Sequence, residues 1–468
     1  MADFYSRVAS ASLKKETTVN TAVKPDTFFG IVSEDLSTEY NFTPAMPVVS
    51  NRSKNIRAVK NKVTAPNGTM MVNCEPKNLG HFIRGIFGGV TSGRYMPFSG
   101  GSGTFTVGET ITGGTSASTA TVDFVGHDFL LLSSPSAAFT DGETVTGGTS
   151  SATGVVVAYD TTVYGHAASV PDNSPVSYTL QFNYGDTAIR YMGVYFTGMD
   201  ALAQSDNIIT LGVKIMAHGQ FRHAKVTAIT SAGAGSKTIN VDQTYGLVAT
   251  DTIKIFRPST GAFLDFASAG VKTHAVGTVA STTSITITNL ETALAVGDLL
   301  VLAPQTATYT EGNEFIWIGG ATFSIGAALA SLTAYPVEDF TFVIGSEYEE
   351  RHAADGNDFE DLFPYTLIQK SVEANGTLNS YYQNESLYQH LRDVTVRALQ
   401  MKTVGAQIGS TGMYNELRVW VPNTRFQPYS TSIEQDNVVN EEVPFAGFYD
   451  STAGFLARAL VVNDVTSY

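Results

Sequence analysis

The side chains in this chain that could do chemistry are few and poorly placed for it. The densest carboxylates are Glu349, Glu350, Asp355, Asp358, Glu360 and Asp361. A calcium loop would alternate its acids and set a glycine at its sharp turn. Here Phe359 stands where the third ligand belongs, so the run reads as a solvated acidic loop. His218 and His223 are five residues apart in a β-rich context, a poor spacing for two metal ligands. Cys74 is the single cysteine, which rules out an intrachain disulfide and reads as a buried, inert thiol. The glycine runs Gly100–Gly103 and Gly113–Gly114 lack the following helix that a phosphate cradle requires. There is no G-x-S-x-G, Walker A, H-E-x-x-H or C-x-x-C motif. Trp317 and Trp420 have no acid beside them, which argues against paired carboxylates in an aromatic sugar cleft. The expectation is no catalytic residue, no metal and no cofactor: not an enzyme.

The elements that would hold such groups are mostly strands. Charged residues are only 15 %, while Tyr and Phe total 48, the palette of sheets and turns. Net charge is −15, and no basic patch of the kind a nucleic-acid binder carries stands out. No run approaches a membrane-spanning length, and the first residues lack the apolar stretch of a signal peptide. Residues 1–27 read as an arm, loose alone or ordered on a partner. Val176, Tyr178, Leu180, Phe182 and Tyr184 alternate with Ser177, Thr179, Gln181 and Asn183. One face of this strand belongs on a core, and the uncharged polar face on water.

Two halves of the chain resemble each other. Residues 62–84 lie over 370–392 without a gap at an offset of 308. Lys62/Lys370, Asn67/Asn375, Gly68/Gly376, Thr69/Thr377, Leu79/Leu387 and Arg84/Arg392 are identical. Asn-Gly predicts a hairpin turn in each copy. Asn78 and Ser386 read as N-caps. Leu79, Ile83 and Ile86 then match Leu387, Leu391 and Val394 as one apolar helix face. Residues 206–213 also resemble 436–443, at an offset of 230, so the first copy carries extra chain before Asp206.

That extra chain has its own repeat. FTVGETITGGTSASTATV (105–122) matches FTDGETVTGGTSSATGVV (139–156) at an offset of 34, with 12 of 18 positions identical. A linker has no reason to repeat such a pattern, so residues 98–166 read as a small all-β module. Residues 226–306 read as a second one, with alternating Ile239, Val241, Ile253 and Ile255.

With these pieces assembled, the chain resembles the tail tube proteins (major tail proteins) of long-tailed bacteriophages. The likeness rests on 28–50 leading to Asn-Gly-Thr and LGHFIRGIFGG, on 177–202, on NGTLNSYYQNESLYQHLR (375–392) and on 417–451. It implies a mainly β chain of two tandem tube-type β-sandwich or half-barrel folds, each with a flanking helix. Residues 28–97 and 167–225 would form the first copy and 307–468 the second, interrupted by the modules at 98–166 and 226–306. A duplicated subunit implies trimeric, pseudo-hexameric rings stacked into a tube. Its partners would be further copies of itself, a tape measure protein, and tail terminator and baseplate proteins. Double-stranded DNA would pass through without specific binding, with no membrane contact. The protein would be made in the host bacterial cytoplasm and reside in the virion tail. Thr179, Gln181 and Asn183 become the candidate lumen-facing strand, the modules are expected to project outward, and the lumen is expected to be net negative. A baseplate, fibre or adhesin component built of β-modules is the alternative reading.

Overall fold

The computed structural model describes residues 9–45, 57–170, 176–203, 208–229, 235–264, 273–290, 294–309, 314–317, 319–352, 363–382, 385–429, 431–432 and 439–468. The chain is mainly β. One group of elements is β1 (Ser33–Glu34), β2 (Asn67–Asn73), α1 (Pro76–Phe87), β3 (Thr187–Ala203) and β4 (Thr210–Phe221). A second is β5 (Asp339–Arg351), β6 (Thr366–Tyr381), α2 (Ser386–Arg392), β7 (Thr431–Ser432) and β8 (Asn440–Phe448). The eight strands form one antiparallel run in the order β1-β2-β4-β3-β5-β6-β8-β7.

Side-chain alternation explains how this sheet buries one face. In β5, Phe340, Phe342 and Ile344 are buried while Thr341, Val343 and Gly345 point the other way. Met70, Val72, Leu211, Val213, Leu378, Val443 and Phe445 continue the inward face. They join residues of α1 and of the strands Tyr178–Tyr184, Arg397–Gln407, Tyr414–Phe426 and Ala457–Asn463 in one continuous core.

Helix α1 starts at Pro76, whose fixed φ and missing N–H suit the first helical position. The cap position is therefore Glu75, not the expected Asn78, whose amide donates to Glu75 Oε2 at 2.7 Å. Likewise Ser386 is the first residue of α2, and Glu385 stands at its cap. Leu79, Phe82, Ile83 and Ile86 face the core. A side chain at Gly85 would collide with Phe196 of β3, so glycine lets α1 lie close on the sheet. In α2 the expected face is shorter. Leu387 is buried and Leu391 packs against the core, but Val394 is exposed beyond the helix end.

Two further groups of strands close into six-stranded barrels. The first runs through Thr91–Ser102, Phe129–Ser133, Thr119–Val125, Thr110–Gly113, Thr144–Gly147 and Thr153–Val156, back to Thr91–Ser102. The second runs through His223–Ile229, Gly235–Val241, Ser284–Leu290, His274–Ser281, Thr252–Arg257 and Leu299–Leu302, back to His223–Ile229. Each has its own apolar core.

The 34-residue repeat builds the first barrel around a local two-fold. Thr112 pairs with Thr146, its own repeat equivalent. Glu109 accepts N–H bonds from Thr149 and Ser150 of the other repeat, and Glu143 does the same for Thr115 and Ser116. The conserved spacing of Glu and Thr-Ser in the two repeats is thus a pair of reciprocal clamps. Burial alone would raise the Glu109 carboxyl, but these donors and the Thr106 N–H bring it down to about 2.

Two expectations fail here. The N-terminal arm is not loose throughout: Ala9–Lys15 is a strand paired along the whole of Tyr178–Tyr184, with Ala11 and Leu13 in the core. The strand Tyr178–Tyr184 is also not wet on one face. Thr179, Gln181 and Asn183 are at most 2 % exposed, which rules them out as a water-facing wall. Their polar face is covered inside the chain. Thr179 donates to the buried Glu16, and Gln181 accepts from Arg190. Asn183 donates to Ser10 and accepts from the Gln305 N–H. An uncharged polar strand face here marks an internal hydrogen-bond network, which the alternation pattern cannot distinguish from a wet one.

Candidate assembly interface

The sequence-predicted repeat residues lie in ladders, not turns. Asn67, Gly68 and Thr69 open β2 and pair with Met216, Ile215 and Lys214. Asn375, Gly376 and Thr377 sit inside β6, between Val343, Phe342 and Thr341 on one side and Ala446, Phe445 and Pro444 on the other. The expected hairpin turn is therefore corrected to a strand in both places. Glycine is needed for close approach. A Cβ on Gly376 would stand 2.3 Å from the Thr341 carbonyl oxygen, and one on Gly68 2.8 Å from Leu36 Cα. Leu79 and Leu387 are both buried. Arg84 is half-buried near the end of α1, whereas Arg392 is exposed and paired with Asp393 at 2.9 Å.

The offsets read from sequence carry one ladder onto the other. Moving β2 by 308 residues and β4 by 230 turns Asn73↔Thr210 into Tyr381↔Asn440 and Asn67↔Met216 into Asn375↔Ala446. The intervening pairs follow in step. The β3–β4 pairs Phe196↔Ile215 and Ala201↔Leu211 become Phe426↔Phe445 and Thr431↔Glu441. On the other flank Ser33↔Met71 becomes Asp339↔Asn379, an offset of 306 for β1 onto β5. The strand order 1-2-4-3 thus recurs as 5-6-8-7 with the same registers. Asp206, Asn207 and residues 436–438 of the second sequence match lie outside the described residues.

Between the two groups runs a seam, β3 against β5, from Gly198↔Gly345 to Ala203↔Phe340. Among the described residues, the outer edges of β1 and β7 have no strand against them. At the β1 edge the Leu36 N–H is held by the Glu34 carboxylate at 3.0 Å, a side-chain stand-in for a strand partner. The offsets place these edges in a definite relation. β7 and the residues before it occupy the place of β3, and residues 34–39 occupy the place of β5. A seam of the same register between two copies would set Glu39 opposite Pro428 and Leu36 opposite Thr431.

The sheet face away from the core is polar. Thr69, Thr341, Asn375, Thr377 and Asn379 alternate with the buried residues, together with Asp35, Asp200, Asp339, Glu373 and Glu442. Lys214 and Arg425 are cations on this face; Asp200 pairs with Lys214 at 3.2 Å, and Arg425 lies over the Phe448 ring. Sequence reasoning missed this face, because its acids are spread over five separate segments of the chain and no two neighbours in sequence announce it.

Among the described residues there is no cluster of His, Cys and acidic side chains that could hold a metal. The acidic segment around Asp355, Asp358, Glu360 and Asp361 lies outside the described residues. His166 and His218 are buried, which pulls both imidazoles down to about 4. Burial also raises the Cys74 thiol, leaving it unreactive. No described helix is long and apolar enough to cross a membrane. No family model matches the chain, and no curated protein matches it.

Proposed function

We propose that this protein is a structural subunit that polymerises edge to edge into rings, which stack into the tail tube of a long-tailed phage. In this reading each half of the chain is one tube-type fold, and the two barrels are modules added to the duplicated frame. Three copies would make a pseudo-sixfold ring, each giving eight strands to the inner wall. The observation that carries the proposal is the β3–β5 seam. The chain already joins one half to the other by strand pairing, and its two outer edges are register equivalents of the edges joined there. Closing the ring would satisfy the backbone groups on both edges.

The polar, mainly acidic sheet face supports a conduit for DNA. Phosphates would meet Asp35, Asp200, Asp339 and Glu442, against Lys214, which is paired with Asp200, and Arg425, which lies over the Phe448 ring. A wall that offers few cations avoids the counterion-release contacts that would hold a moving duplex. The tape measure, terminator and baseplate proteins would contact the tube's interior and ends. Negative-stain electron microscopy and mass measurement of the purified protein test the reading. Rings of three copies or tubes are expected; a chain that stays monomeric at high concentration refutes it.

A further inference from the structure

The two halves meet at more than the β3–β5 seam. The strands on the other side of the core repeat as well. Moving the strand Tyr178–Tyr184 by 219 residues and β3 by 230 turns Tyr178↔Val194 into Arg397↔Thr424 and Gln181↔Arg190 into Gln400↔Trp420. With β3 moved by the same 230, Ala188↔Leu302 becomes Arg418↔Leu460. The strand Leu299–Leu302 is therefore the counterpart of Ala457–Asn463, at an offset of 158.

Inside the chain, α1 of the first half lies against Ala457–Asn463 of the second. The Asn463 side-chain amide donates to the Pro76 carbonyl at 2.8 Å, and Lys77 pairs with Asp464 at 2.9 Å. The Tyr468 hydroxyl donates to the Lys77 carbonyl at 2.9 Å, and the Tyr468 ring occupies the space that a Cβ on Gly80 would need. Ala457 and Ala459 are fully buried on the core side of their strand, with Val419 of the neighbouring strand buried beside them.

Both partners in this contact have counterparts that the chain leaves open. α2 rests on the strand Tyr414–Phe426 of its own half. Its Tyr388, the counterpart of Gly80, is 50 % exposed, and Val394 is 59 % exposed where Ile86 is 7 %. On the other half, Ile189, Leu299 and Val301 are only half-buried where Val419, Ala457 and Ala459 are covered. Leu300 and Leu302 turn into the second barrel, so Leu299 and Val301 point the opposite way, as Ala457 and Ala459 do.

We propose that α2 of one copy docks on the face formed by Ile189, Leu299 and Val301 of the next copy, with Tyr388 as its anchor. The occupant is a second copy of this chain, because the same arrangement already joins the two halves and the free sheet edges stand in the same relation to each other. The inference rests on ring closure as proposed above and gives that joint a second, apolar contact. Any exposed edge can accept a strand, so edge pairing selects its partner weakly. A tyrosine desolvated in a matched apolar face selects strongly, and truncating such an anchor typically costs more than 1 kcal/mol. Tyr388 supplies from α2 itself the ring that Tyr468 lays over Gly80 in the internal contact.

The test compares the native full-length chain with Tyr388→Ala by mass photometry over a concentration series. The concentration at half assembly should rise about tenfold or more. The Tm of the unassembled variant should stay within about 1 °C of the native value, because the side chain is exposed there. In a second measurement Tyr388 is replaced by the photo-crosslinker benzoylphenylalanine, in rings mixed from unlabelled and nitrogen-15-labelled chains. Mass spectrometry should find it joined to residues 187–189 or 299–309 of a differently labelled copy. Rings that form equally well with Tyr388→Ala, or crosslinks that fall elsewhere, would overturn the docking while leaving the ring intact. A native chain that forms no rings would overturn both.

Discussion

The relation between the free edges can be tested by a disulfide placed across them. Glu39 and Pro428 are both exposed in the single chain, on the sheet face away from the core. They are the counterparts of Gly345 and Gly198, which oppose each other in the internal seam. Opposed residues in an antiparallel pair have Cα atoms about 4.5–5.5 Å apart. That lies inside the roughly 4.4–6.8 Å window for a disulfide. Glu39→Cys with Pro428→Cys should therefore link neighbouring copies on mild oxidation. Because a ring of three is closed, the ladder on a non-reducing gel should end at the trimer. Ser33→Cys with Pro428→Cys is the control. Ser33 lies six residues along the same edge, about 20 Å from the required position. Cys74 is fully buried and contributes no background. Assembled protein in which the control links and the 39–428 pair does not would refute the register. A ladder extending far beyond three would refute closure.

Three other outcomes follow from the same geometry. Gly376→Ala puts a methyl group against the Thr341 carbonyl oxygen and Phe445 and should cost about 2–3 kcal/mol in chemical denaturation; a neutral result would mean that β6 can shift. Asp251→Ala leaves Arg190 unpaired where both side chains are 1 % exposed, and should cost about 3–5 kcal/mol by the same measurement; a loss below about 1 kcal/mol would mean that water reaches the guanidinium. Glu109→Ala should destabilise the first barrel by about 3 kcal/mol through its lost N–H bonds. Because the folded Glu109 carboxyl is lowered to about 2, its contribution is fully present above the ordinary carboxylate range near 4.5. It should fade as pH falls from there through about 2, a fade that Glu109→Ala abolishes in acid unfolding monitored by hydrogen exchange.

The repeats were legible in the residues alone. The offsets of 308 and 230 came from a few identical side chains, yet they reproduce the backbone pairing of two ladders. They could do so because strand register ties side-chain identity to one face of the sheet, so an in-register copy keeps both. The 34-residue repeat likewise marked the first barrel, since Glu109 and Glu143 must each meet a Thr-Ser turn at a fixed spacing. The mainly β character followed from composition and alternation. What those residues touch is set by contacts between distant strands. Asn-Gly reads as a turn locally, but pairing with β5 on one side and β8 on the other keeps Gly376 in a strand. Thr179, Gln181 and Asn183 read as wet, but Glu16, Ser10 and Gln305 arrive from distant parts of the chain to bury them. The acidic sheet face was invisible for the same reason. It is assembled from strands hundreds of residues apart and becomes a face only once those strands are side by side.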